Sequence, residues 1–185
     1  MVTSLPRASK ALPSEYKATA EKLFDGNGPT LEIAEAFADI LGIGDDYRRI
    51  WNIHKSDKTP VEYLERFQNN LDLLIQKTWV EKSDELRKEN LLDKVPPFIA
   101  LIEKGDYSKA LEEFGAILEE LAWLFFGVES QKEDFAEYAL RIDLRIGLFW
   151  WYGGQIYAAR TWLKSVDRNV IYALLLLGIC YLTDF

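Results

Sequence analysis

The 185-residue chain has a single cysteine, Cys180, and a single histidine, His54, so no intramolecular disulfide can form and a Cys/His zinc site is excluded by count. Zinc-finger, thioredoxin-like and Cys-His-triad chemistries fall together. A serine triad falls too, because nothing around the one histidine resembles a nucleophile context. Basic charge is also short: 22 Lys and Arg stand against 30 Asp and Glu, and the formal net charge of -8 argues against broad binding to a phosphate backbone. The longest apolar run, Val170 to Leu182, has 13 residues, well under the roughly 20 that a membrane-spanning helix needs. It reads as a buried helix. The opening residues contain no apolar core of signal-peptide length, so the cytoplasm is the expected compartment. A phosphate-cradling glycine loop is missing as well, since Gly26-Asn27-Gly28 runs into Pro29 with no strand before it.

What remains is 49% hydrophobic, ample for one sizeable core, and its apolar residues recur at three and four positions rather than alternating. The expected fold is all-α, a single domain over residues 1-185, built as a helical bundle or a short helical-repeat array of about eight helices. Residues 1–13 read as a flexible N-terminus. A first helix follows Pro13 with Ser14 as N-cap and stops at Asp25-Gly26-Asn27-Gly28; a second follows Thr30 and ends at Gly42; a third covers Asp45 to His54. Thr59-Pro60-Val61-Glu62 combines a capping threonine, proline at the first helical position and a glutamate that closes a capping box. A further helix is expected over Asp84 to Asp93, ended by Pro96-Pro97, then Phe98 to Lys104, Asp106 to Phe126, Gln131 to Tyr152, Gln155 to Ser165 and Asn169 to Leu182. The helix over Gln131 to Tyr152 is apolar on two faces, which places it centrally.

Charge and aromatic residues are unevenly spread. Glu103 to Asp143 holds 11 acidic against 4 basic residues, and 15 of the 25 aromatic residues lie between Phe114 and Phe185. Gly105-Asp106-Tyr107-Ser108-Lys109-Ala110-Leu111, with Phe114 and Ile117, resembles the second helix of a tetratricopeptide repeat. Ile146-Gly147 with Trp150, then Gly154, Ala159, Leu163 and Val166, is similar to a following pair, and Leu177-Gly178 with Tyr181 to the start of another. The resemblance covers residues 95–185 and implies stacked helix hairpins with an extended groove for a protein or peptide partner.

Three groups of residues are candidates for chemistry or binding. Glu32 with Glu35, Glu62 with Glu65, and Glu81 with Asp84 are carboxylate pairs at helical i,i+3 spacing. Two such pairs on facing helices would suit Mg²⁺, as in the all-α nucleotide pyrophosphohydrolases, whose denser Glu-Glu-x-x-Glu is not present; the plainer reading puts these acids in solvent. Arg49 and His54 form Arg-x-x-x-x-His, which resembles the catalytic signature of helical HEPN ribonucleases; a histidine near a helix C-terminus otherwise satisfies carbonyls. Arg141 and Arg145, with Glu137, follow i,i+4 spacing and call for carboxylates, either from the Glu112 to Glu120 helix or from a ligand. Trp150-Trp151-Tyr152 cannot all face one core, so at least one ring is expected to meet a neighbouring helix, a partner or a groove; core packing is the favoured account of the group, and Arg141, Arg145, Trp150, Trp151 and Tyr152 are the expected binding residues if a partner is bound, with a self-association seam as the third reading.

Overall fold

The structure is a computed structural model and describes residues 12–24, 28–77, 85–126, 139–140, 143–159 and 163–184. Eight α-helices can be followed from end to end: α1 (Ser14–Leu23), α2 (Leu31–Ile40), α3 (Gly44–Lys55), α4 (Val61–Lys77), α5 (Glu85–Glu103), α6 (Tyr107–Phe126), α7 (Leu144–Ala159) and α8 (Arg168–Thr183). A 3-10 turn, Leu163–Ser165, joins the last two. The fold is all-α. The expected N-terminal segment 1–13 lies almost wholly outside the described residues, as do Glu81, Asp84, Glu137, Arg141 and most of the segment before α7.

Most boundaries follow local signals. Thr30 caps α2 by accepting the Ile33 N–H at 3.3 Å, and the turn after the helix needs Gly42, whose φ of 76° suits a residue without Cβ. Ser14 is the first residue of α1 and Pro13 its cap, and three further expectations shift. Pro60 is itself the cap of α4, since its carbonyl takes the N–H groups of Tyr63 and Leu64, so the capping box of Thr59 moves out by one residue. Helix α5 runs straight through Pro96 and Pro97 rather than ending there; both rings lie on the exposed side, where water can satisfy the carbonyls they leave without a donor. Helix α7 likewise runs through Gly153-Gly154, which the sequence suggests as a break. There Gly153 packs under Leu118 of α6, with 3.4 Å available to a Cβ, and serves close helix contact instead.

The core is contiguous and its hub is α8. Every residue from Ile171 to Thr183 is buried, which for a helix means neighbours on all sides. Those neighbours are α2, α3, α4, α6 and, more lightly, α7. Around it, α1–α2, α2–α3, α4–α5 and α5–α6 pack as sequential pairs, and α6 also lies along α7. The last helix thus closes the bundle against elements more than 100 residues earlier. Gly178 lets it do so, because the edge of the Phe114 ring occupies the space that a Cβ would need, 2.3 Å away.

Candidate functional site

The three aromatic residues expected to bind a partner sit in the core. Trp151 packs on Phe24 and Phe37, Trp150 on Phe125, Phe126 and Phe149, and Tyr152 is fully buried with its hydroxyl donating to the Leu174 carbonyl. Their burial bears out the core-packing account and corrects the binding role: α7 is wrapped on several sides, so consecutive rings each find a protein neighbour. Arg145 is exposed, but its guanidinium lies across Gly42, 3.0 Å from the position of a Cβ there, rather than meeting the acidic face of α6. On that face Glu120 pairs with Arg87 at 3.3 Å. Arg141 lies outside the described residues.

The carboxylate pairs do not converge. Glu32 and Glu35 line a hollow of about 240 Å³ between α2 and α3, whereas Glu62 borders a separate one between α3 and α4, and Glu65 is exposed. Among the described residues no group of three or more His, Cys, Asp or Glu side chains is arranged to hold a metal. Cys180 is buried, which pushes its thiol up to about 12 and leaves it no nucleophile at neutral pH. Arg49 and His54 also part company. The two are five residues apart on α3, about 140° around the helix, so they face different neighbours. Arg49 binds Asp46 at 2.8 Å and lies over the Tyr63 ring, while His54 turns to α8.

A different constellation forms where His54 goes. Tyr47, Trp51 and Lys55 follow i,i+4,i+8 spacing and share one stripe of α3; the Tyr47 and Trp51 rings are parallel within 1° at 6.4 Å, and the Lys55 ammonium lies 5.9 Å from the Trp51 ring. His54 stacks on Tyr172 of α8 at 3.8 Å and meets Tyr107 at 5.8 Å and Trp51 at 5.3 Å. Its Nε2 is 3.3 Å from Asn169 Oδ1, so the ring donates there and its tautomer is set. Burial lowers the His54 pKa, and Arg168 lowers it further against the opposing effect of the hydrogen bond that the ring donates to Asn169.

The first turn of α8 is what places these partners. Asp167 caps it through the Asn169 N–H at 2.9 Å, leaving Arg168 free to lie over the Tyr107 ring at 4.5 Å and donate to the Gly105 carbonyl at 3.2 Å. Gly105 is required twice over. Its φ is 76°, and a Cβ would lie 2.4 Å from the Arg168 guanidinium. Tyr47, Tyr107 and Tyr172 are buried beneath, whereas Trp51 and His54 are only partly covered, so three fixed rings support two that reach the surface. Beside them opens the 240 Å³ hollow, lined by Leu31, Glu32, Glu35, Arg48, Asn52 and Lys55 along with Tyr47 and Trp51.

Sequence reading missed this face, although one signal for it was present: the Tyr47-x-x-x-Trp51-x-x-x-Lys55 stripe is visible in the chain itself. Compared with protein-family models, curated proteins and solved structures, the chain matches none of them.

Proposed function

We propose that the chain is a protein-binding module and that it takes its partner on the face built from α3 and the first turns of α6 and α8. The observation that carries this reading is the row Tyr47, Trp51, His54, Tyr172 and Tyr107, capped by the cations Lys55 and Arg168. Interface energy concentrates in Trp, Tyr and Arg side chains held rigid before the partner arrives, because little rotamer freedom is then lost on binding. Trp51 meets that description, and His54 is held in place beside it. They are stacked on buried tyrosines and remain partly open to solvent. The resemblance of residues 95–185 to tetratricopeptide hairpins is consistent with a binding role, and Tyr107, at the start of α6, is the member of this face that it includes.

An enzymatic reading has less behind it, since Arg49 and His54 engage separate neighbours and the glutamate pairs border separate hollows. The test is site-directed photo-crosslinking. A benzophenone side chain at Asn52, exposed on the rim of the hollow, should trap one discrete species in cells of the source, and the same probe at exposed Glu113 of α6 should not. Trp51→Ala should abolish capture at position 52 while the far-UV circular dichroism stays helical. Equal capture from both positions, or capture indifferent to Trp51→Ala, would refute the assignment of this face.

A further inference from the structure

The hollow between α2 and α3 is unevenly charged. Arg48, on its rim, meets three carboxylates: Asp39 at 2.9 Å, Asp45 at 3.2 Å and Glu35 at 3.4 Å. One guanidinium cannot neutralise three acids, and Glu35 makes the longest of these contacts. Glu32, one turn earlier on α2, has no ion pair or side-chain hydrogen bond among the described residues. Lys55 reaches no carboxylate there either; its ammonium lies 5.9 Å from the Trp51 ring instead. Around the opening, Glu32, Glu35, Asp39 and Asp45 thus stand against Arg48 and Lys55, four negative charges to two positive.

Tyr47 adds a polar group in need of a partner. Its side chain is only 3% exposed and lines the hollow, yet its hydroxyl has no hydrogen-bond partner among the described residues. Buried polar groups rarely stay unpaired. Burial first, then the charge of Glu35, holds the phenol pKa above its ordinary value, so the group stays a neutral hydroxyl that can accept as well as donate. The hollow therefore offers three acceptor groups, Glu32, Glu35 and Tyr47, beside the Trp51 ring, whose face attracts cations. We propose that it takes an arginine side chain from a basic segment of the partner, with the guanidinium lying against Trp51 and donating to Glu32 and Glu35. This rests on the reading of the face as the partner-binding one, and names what the partner presents to it.

Size and chemistry both favour this occupant. At about 240 Å³ the hollow is smaller than the roughly 300–1,000 Å³ of pockets that enclose whole small ligands, and it suits one long side chain. An acidic side chain would meet Glu32 and Glu35 as like charges, and an apolar one would strip water from them and from the Tyr47 hydroxyl without replacing it. Arginine carries five donors and no acceptor, stacks on aromatic rings and matches carboxylates with its planar fork, whereas lysine is a strongly hydrated point charge. Its methylene stem can lie along Leu31, which is exposed on the rim. Lys55 then marks a position over the Trp51 ring that the incoming guanidinium would contest.

The probe is N-acetyl-arginine amide, a single arginine side chain without free termini, titrated into the ¹⁵N-labelled chain. Saturable shifts should map to residues 31–35 and 47–55, the Trp51 indole N–H among them. Glu32 and Glu35 are exposed, so the double variant Glu32→Gln, Glu35→Gln should keep the fold and weaken binding about tenfold or more, as loss of charge-assisted hydrogen bonds does. Lys55→Ala should tighten it by removing the competing cation. N-acetyl-lysine amide should bind more weakly and N-acetyl-glutamate amide not at all. Non-saturating shifts spread over the acidic surface, unchanged affinity in the double variant, or equal saturation by the lysine or glutamate probe would overturn the proposal. Crosslinking from position 52 separates this inference from the reading beneath it: capture that needs Trp51 but survives the double variant keeps the face and overturns the arginine, whereas capture indifferent to Trp51 overturns the face itself.

Discussion

The ring of His54 lies almost flat on Tyr172, 18° between planes, and its one polar tie within the face is to Asn169. Stacking and burial favour the neutral imidazole; the nearby Arg168 guanidinium works in the same direction. Because His54 is the only histidine, its Hε1 resonance is a single unambiguous probe. Its titration midpoint should lie below 6.5, and Asn169→Ala should lower it further by removing the hydrogen bond that supports the charged form. A midpoint at or above 6.5 would mean that the ring is not held against Tyr172 as described. The sign for stability follows. With the folded value depressed, the unfolded chain binds the extra proton as pH drops through 6.5, so His54 contributes most above that value and less below it.

Glycines separate the helices by what surrounds them. In α8 a Cβ on Gly178 would meet two ring carbons of fully buried Phe114, at 2.3 and 2.4 Å, and neither the ring nor α6 has room to retreat. Overpacking of this kind costs about 1–3 kcal/mol. In α7 the exposed Gly154 has nothing within 4 Å of a Cβ, so alanine there gains only the helix propensity, about 1 kcal/mol. Gly178→Ala should therefore lower the melting temperature by roughly 5 °C and Gly154→Ala raise it by roughly 3 °C. Calorimetry showing the two substitutions moving together would contradict the assigned packing of α7 and α8. The same pair shows where sequence reading succeeds and stops. Apolar spacing at three and four positions marks α2, α4, α6 and the buried run of α8, because the core selects that pattern directly. Gly153-Gly154 and Pro96-Pro97 look like breaks in the chain because propensity is local. Tertiary contact at Leu118, and solvent at the prolines, override it. The Trp150-Trp151-Tyr152 group reads correctly as core, whereas its alternative role in binding is undone by the surrounding helices, which decide which rings are covered.

Topology makes α8 the element on which the others depend. A linear array of hairpins would leave its last helix in contact with its immediate neighbours alone, and that end would fray first. Here α8 touches α2, α3, α4, α6 and α7 at once, so opening it would expose apolar surface on five helices. The aromatic face at its N-terminal end and the Arg66–Asp184 ion pair at its C-terminal end are both built on this one support. By contrast α1 packs chiefly on α2, and of its ten residues only Ala20 and Leu23 are fully buried. Local opening should then be graded by contact rather than by position in the chain. In native-state hydrogen exchange, the amides of residues 171–182 should exchange only with global unfolding, responding to denaturant with the full equilibrium slope. Amides of α1 should exchange by a smaller opening with little denaturant dependence. Exchange of α8 as early as α1 would place it at the frayed end of an array, and the aromatic face would then lack the fixed support that its proposed role requires.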